Sequence, residues 1–268
     1  MSDASFAPDW LALREPVDHR SRVERLTEAV AEEGQRRGWT RGLDLGTGTG
    51  SNLRYLDPRL PWVQSWTVVD HDPALLARVP DPGPGRRIRR ISGDLAREGL
   101  SAVPEADLVT ASALLDLVSR AWLRDLVEAC RSVGAGALFT LTYDGTTRWE
   151  PLEAGDAEVR AAVNRHQERD KGLGNALGPS AAAVAEDLFR EAGYRTESVA
   201  SPWVLEGPGD AGLALELTEG WARAATEEDS IDAGLVRDWL QRRRDRISTG
   251  PFRIEVGHLD LLALPPES

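Results

Sequence analysis

The residues best placed to do chemistry lie between Asp44 and Ser112. Asp44-Leu-Gly46-Thr47-Gly48-Thr-Gly50 sets a carboxylate two residues ahead of three glycines at alternate positions. Glycines so spaced let the backbone turn sharply and approach a ligand with no Cβ in the way. The segment behind them, Asn52 to Leu56, reads as a helix whose first N–H groups are unpaired. Together these features suit a nucleotide-type ligand, and the spacing narrows which one. A dinucleotide site uses G-x-G-x-x-G, with the diphosphate on the helix end. Here the third glycine comes one residue early, and an aspartate at position 44 suits an ammonium better than a diphosphate. Two further carboxylates, Asp70 and Asp94, and then the pair Ala111–Ser112, follow at the ends of successive apolar runs.

These residues need a scaffold that carries them to one rim. The sequence predicts strands ending at Leu45 and Asp70, then strands over 88–91, 106–111 and 137–143. Between them Asp72-Pro73 gives an N-cap and N1 pair, and Leu123, Leu126, Val127 and Cys130 make one helical stripe. Strands alternating with helices at this interval form a parallel sheet with right-handed crossovers. Asp44, Asp70, Asp94 and Ser112 then share the carboxyl edge, where such sheets bind ligands. Ahead of the sheet, Ser21-Arg-Val-Glu24 has capping-box spacing and Gly38 a helix-stop position. A helical cap is expected there, with Arg14 or His19 reaching inward over the ligand. Beyond Tyr143 regularity breaks until Ser180; two helices marked by Trp221 and Trp239 and a last strand over 252–264 follow.

Composition bounds the rest. The chain has 268 residues, 41% hydrophobic and 28% charged, enough for one sizeable core. A formal charge of −12 argues against nucleic acid as a partner. The Arg242–Arg246 run reads as a solvated helix end. One cysteine, Cys130, excludes an intrachain disulfide and fits a reducing compartment; it reads as a core residue. Neither a signal peptide nor a bilayer-spanning run is visible, and the expectation is a cytoplasmic protein with no membrane partner. No metal-ligand cluster appears, and the oligomeric state is left open.

The ordered motifs from Arg41 to Tyr143 resemble those of the class I S-adenosylmethionine-dependent methyltransferases, whose first motif is D/E-x-G-x-G-x-G. The resemblance implies an α/β fold: a doubly wound, seven-stranded, mostly parallel sheet with an N-terminal helical cap and helical insertions. One domain would span 1–268, with the cap at 1–39, the cofactor core at 40–145, an acceptor-site insertion at 146–179 and closing helices and strands at 180–268. The implied cofactor is S-adenosyl-L-methionine. Asp44, Gly46, Thr47, Gly48 and Gly50 would cradle its methionine part and Asp70 its ribose hydroxyls, while His71, Asp94 and Leu95 would line the adenine pocket. Ala111 and Ser112 would pass under the sulfonium, with Arg14 reaching in from the cap.

The acceptor stretch is expected between Arg148 and Pro179. Lysine and asparagine are scarce in this arginine-rich chain, yet the only lysine, Lys171, and two of three asparagines, Asn164 and Asn175, gather here with His166. His166 is expected as base or hydrogen-bond partner, with Asn164 and Gln167 orienting polar groups. Arg148 and Lys171 would pair with an anionic group. Asp116 is a further acceptor candidate, and His258 reads as a core histidine. The expected activity is methyl transfer to oxygen or nitrogen of a small, anionic or polar metabolite. A non-catalytic S-adenosylmethionine-binding protein is the alternative. A nicotinamide-dependent oxidoreductase is disfavoured by the glycine spacing and Asp44.

Overall fold

Apolar residues at every second position of the strands sort the interior into two layers, one on each face of a central sheet. The structure, a computed structural model, describes residues 7–170, 172–228 and 230–267. Two helices come first, α1 (Pro8–Ser21) and α2 (Glu24–Arg37). Then follow β1 (Arg41–Leu45), α3 (Ser51–Leu56), β2 (Ser65–Asp70), α4 (Pro73–Leu76) and β3 (Arg87–Ser92). A single π-helical turn over Leu95–Gly99 leads through α5 (Leu100–Ala102) to β4 (Leu108–Ser112), α6 (Arg120–Val133) and β5 (Gly136–Glu150). The chain continues with α7 (Asp156–Gln167), α8 (Ala181–Glu191), β6 (Arg195–Ala200) and β7 (Trp203–Glu206). It closes with α9 (Gly207–Thr226), α10 (Ala233–Thr249) and β8 (Arg253–Leu264).

The sheet runs β3-β2-β1-β4-β5-β8-β6, with β7 also paired to β8. Pairs from β3 to β5 are parallel, and β8 lies antiparallel to β5, β6 and β7. This is the expected mostly parallel sheet with one strand more than the seven predicted. On one face Leu43, Val109 and Phe139 pack with Leu126 and Cys130 of α6 and Phe189 of α8. On the other, Val68, Leu108 and Leu138 meet Leu26 and Val30 of α2 and Leu53 of α3. The period of two along each strand assigns neighbours such as Val68 and Val69 to opposite layers.

Two segments depart from the sequence reading. The cap is two helices, not one beginning at Ser21: α1 ends at Ser21, and α2 starts at Glu24 with no side-chain cap. Its stop at Gly38 is as read, in the left-handed region at φ 69. The cap position falls at Val23, whose N–H donates to Asp260 Oδ2, and Arg22 is buried at the junction. Beyond Tyr143 the chain is also more regular than its residue types suggest. β5 continues to Glu150 through two bulges while paired to β8, and α7 follows. This extension, with β7, α9 and α10, builds a third apolar cluster around Trp149, Trp203, Trp221 and Trp239. Among the described residues no helix is long and apolar enough to cross a membrane.

Candidate active site

Three glycines organise the rim. Gly46, Gly48 and Gly50 have φ of 63, 56 and 84, the left-handed region that side chains disfavour. The turn is tied to β2 by backbone: Thr47 N donates to Val69 O at 3.1 Å, and Gly48 N donates to Asp70 Oδ2 at 2.8 Å. Packing is tight there as well: a Cβ on Gly48 would sit 3.2 Å from Leu11 Cδ1, and one on Gly46 3.1 Å from Leu114 Cδ1.

A cavity of about 620 Å³ opens beside this turn. Gly46, Thr47, Gly48, Thr49, Ser51 and Asn52 form one wall. Asp70, His71 and Leu75 after β2, with Asp94 and Leu95 after β3, form a second. Ser112, Ala113, Leu114 and Leu117 after β4 form a third, and Leu11, Arg14, Asp18, Asp170, Gly172 and Leu173 complete the enclosure. The convergence arises because parallel register brings Leu45, Val69 and Ala111 level across β2, β1 and β4. Asp70 Oδ1 accepts from Asp72 N at 3.0 Å and lies 3.3 Å from His71 Nδ1, so the carboxylate is held rigidly. Asp94 is held as well: its Oδ1 accepts from Ala96 N at 2.6 Å, while its own N–H donates to Glu98 Oε2. Both aspartates therefore cap or brace turns and also face the cavity. Ala113 has φ 52, unusual for a residue with a side chain, and this places its backbone on the wall.

Beneath the glycine wall lies a buried polar network. Asn52 Nδ2 donates to Asp44 Oδ1 at 2.6 Å, and Thr110 Oγ1 donates to the same oxygen at 2.8 Å. Arg22 Nη1 donates to Asn52 Oδ1 at 2.7 Å. Burial pushes the Asp44 carboxyl above the usual range, against the pull of Thr47, Asn52, Thr110 and Arg22. The Thr47 hydroxyl is near enough to favour the ionised carboxylate, yet among the described residues neither it nor Asp44 Oδ2 completes a hydrogen bond of normal geometry. Buried polar atoms left in this state are uncommon in folded proteins. They fit an amino-acid end of a ligand, in which an ammonium donates and a carboxylate accepts.

Helix α1 lies across the turn. Glu15 takes a bidentate bond from Arg54, whose Nη1 donates to Thr49 O at 2.6 Å. Arg54 also holds the Glu15 carboxyl below its ordinary value. His19 Nε2 is 3.1 Å from Ser51 O. Arg14 reaches the cavity as the sequence suggested, bonded through Nε (2.9 Å) and Nη2 (3.1 Å) to Asp18 and stacked 4.9 Å from the Trp203 ring.

Of the residues expected to hold a cofactor, Gly46, Thr47, Gly48, Asp70, His71, Asp94, Leu95, Ser112 and Arg14 line the cavity. Asp44, Gly50 and Ala111 stand behind its wall: Asp44 and Ala111 are buried, and a Cβ on Gly50 would touch Val79 and Pro80 instead. The acceptor residues are placed elsewhere. His166 sits in the last turn of α7, where its Nε2 lies 2.9 Å from Glu227 Oε2 at the end of α9. The cause is packing: Val159, Ala162 and Val163, on the same face one and two turns earlier, are buried in the tryptophan cluster and carry His166 at the end of that face to α9. Asn164 braces β5, accepting from Tyr143 Oη at 2.8 Å and donating to Gly145 O at 3.0 Å. Arg148 is exposed and pairs across strands with Glu255. Gln167 packs beside Gly178, away from the wall. Asp116 is buried in the turn after β4, whose Leu114 and Leu117 face the cavity instead. Lys171 lies outside the described residues. Of its described residues, the 146–179 segment thus contributes Asp170, Gly172 and Leu173 to the wall, and not Arg148, Asn164, His166 or Gln167.

Sequence reasoning also passed over Asn52, Arg22, Asp18 and Thr110. Asn52 carried a usable signal, being one of three asparagines in the chain. Arg22, among so many arginines, carried none. Among the described residues no group of His, Cys, Asp or Glu could hold a metal ion.

No protein-family model matches the chain, and no curated protein matches it in sequence. Solved structures do resemble it. A cyclopropane-fatty-acyl-phospholipid synthase-like protein from Lactobacillus casei superposes with a TM-score of 0.52 at 16% identity, over 98% of this chain and 96% of that one. A SAM-dependent methyltransferase from Geobacter sulfurreducens, in complex with S-adenosyl-L-homocysteine, gives 0.46 at 15% identity over 97% and 99%. The likeness is one of architecture: the chain has the Rossmann-like methyltransferase fold.

Proposed function

We propose that this chain is an S-adenosyl-L-methionine-dependent methyltransferase acting on oxygen or nitrogen of a small molecule. One observation carries the reading: carboxylates at the ends of two adjacent parallel strands share a cavity with a left-handed glycine turn, over a buried carboxylate oxygen and hydroxyl that complete no hydrogen bond of normal geometry among the described residues. Asp70 would accept from a ribose diol, with Asp94, His71 and Leu95 bounding a purine. Asn52, Thr47 and the Asp44 charge behind them would take an amino-acid end. Ser112 and Ala113 would lie under the reacting centre, Ala111 fixing their strand. When bound, the cofactor supplies a sulfonium methyl that is already electrophilic.

The chain's own task is to hold an acceptor in line and exclude water, and positioning of that kind can lower a barrier by roughly 7–11 kcal/mol. Leu11, Leu114, Leu117 and Leu173 give the remaining wall an apolar body, with the Arg14–Asp18 pair and Asp170 as its polar points. Such a wall suits a small acceptor with an apolar body and few polar groups. The acceptor contacts are accordingly assigned to this wall, in place of Arg148, Asn164, His166 and Gln167. A reducing, cytoplasmic setting is supported by the single cysteine, Cys130, which is buried and whose thiol burial pushes up to about 12.

Calorimetric titration tests the reading. S-adenosylhomocysteine should bind one to one while NAD gives no heat. Binding of NAD in its place, or of neither ligand, would overturn it. Binding of S-adenosylhomocysteine with no methyl transfer across a panel of small amines, phenols and carboxylates would leave a cofactor-binding protein without catalysis.

A further inference from the structure

Arg22 is a buried cation beside the cavity, yet it does not line it. It projects from the junction between α1 and α2, with its guanidinium 4.4 Å from the Tyr55 ring. Only Nη1 of its guanidinium is engaged, by Asn52 Oδ1 at 2.7 Å; Nε and Nη2 are buried and find no hydrogen-bond partner among the described residues. Burying a guanidinium is costly unless its charge is answered. Here the answering charges are Asp260, Asp18 and Asp44, which surround it without bonding it directly. Asp260 is itself committed elsewhere, accepting from Val23 N, Leu141 N and Ser201 Oγ.

The engaged contact is the informative one. Asn52 stands on the cavity wall, and its amide is held at both ends, by Arg22 through Oδ1 and by Asp44 through Nδ2. That arrangement fixes which way the amide faces, because only its oxygen can accept from a guanidinium. An asparagine free to flip would present either donor or acceptor, and this one cannot.

We propose that Arg22 is a positioning residue for the amino-acid end of the cofactor, acting through Asn52: the Arg22–Asn52–Asp44 chain sets the orientation of the wall that meets that end and leaves the adenosine half of the site untouched. The proposal rests on the cofactor reading above and adds to it a residue outside the cavity. It predicts a selective effect. S-adenosylhomocysteine carries the amino-acid end, whereas 5′-deoxy-5′-methylthioadenosine keeps the adenosine and thioether and lacks it.

The experiment measures the affinity of both ligands by calorimetry for the full chain and for Arg22→Met and Asn52→Ala. Hydrogen bonds to charged groups contribute about 1.5–3 kcal/mol, so S-adenosylhomocysteine should bind roughly 10- to 100-fold more weakly to each variant. Methylthioadenosine binding should change less than about 3-fold, which also shows that the variant is folded. Equal losses for both ligands would reduce Arg22 to a structural role, and unchanged S-adenosylhomocysteine affinity would remove it from the site; either overturns the proposal. Should Arg22→Met fail to fold, Arg22→Gln, too short to reach Asn52 Oδ1, decides by the same ratio. If the unaltered protein binds neither ligand, the cofactor reading itself has failed, which is a separate outcome.

Discussion

The glycine-turn rim and the extension beyond Tyr143 both concentrate polar side chains, but they use them differently. At the rim the carboxylates are braced by backbone N–H groups: Asp70 by Gly48 and Asp72, Asp94 by Ala96. Such bonds orient a side chain and still leave lone pairs turned towards the cavity. In the extension, side chains close on each other. Arg243, 1% exposed, is bonded to Asp156 and to Pro151 O and lies 4.3 Å from the Trp149 ring, while His166 pairs with Glu227 and Arg148 with Glu255. Polar residues spent on one another hold a subdomain together, whereas those braced by backbone are available to a ligand.

Substitutions can break or sharpen that contrast. Asp70→Ala removes the acceptor of two backbone N–H groups together with the expected ribose contact, and should weaken S-adenosylhomocysteine binding about 100-fold in calorimetry. In the extension, Arg243→Met leaves Asp156 without its main partner. Removing one member of a buried pair typically costs 3–5 kcal/mol, so chemical denaturation should show a loss of about that size. The ligand affinity of the folded fraction should stay within about 2-fold of the parent. A large loss of affinity there would erase the distinction between the two regions.

Acid stability gives a smaller and slower test. His258, packed 5.0 Å from the Trp203 ring and 6.2 Å from the Tyr143 ring, is held down to about 3 by burial and by the Arg14 charge. Unfolded, it would take a proton near pH 6.5. Between those values the unfolded state binds more protons, so this residue makes stability fall as pH drops from about 6.5 towards 3, by up to about 1.4 kcal/mol per pH unit. His258→Phe should flatten that part of the stability profile measured by urea denaturation, and an unchanged slope would contradict the assignment. The smallest effect belongs to His166→Ala. Its pair with Glu227 sits at the surface, where such pairs contribute about 0–1 kcal/mol, and its removal should leave ligand affinity and turnover unaltered.

The same contrast explains what could be read in the sequence. The rim was legible because its signals are local: an acid at a strand end, a glycine that must adopt positive φ, an Asp-Pro pair starting a helix. Asp72 caps α4 as its spacing predicts, with Oδ1 accepting from Ala74 N at 2.7 Å. The placement of His166 and Arg148 was not legible, because their partners lie 61 and 107 residues away. Residue type marked them as capable of chemistry, and only the packing of α7 and the pairing of β5 with β8 show where they face. Arg22 was not legible for the same reason: nothing local marks it, and its hydrogen-bond partner, Asn52, lies 30 residues on.

The most direct measurement is a crystal structure of the protein soaked with S-adenosylhomocysteine. The account predicts density in the cavity, with the ribose on Asp70, the purine between Asp94 and His71, and the amino-acid end over Asn52 and Thr47. Density at another site, or the reverse orientation with the purine over Asn52, would contradict it.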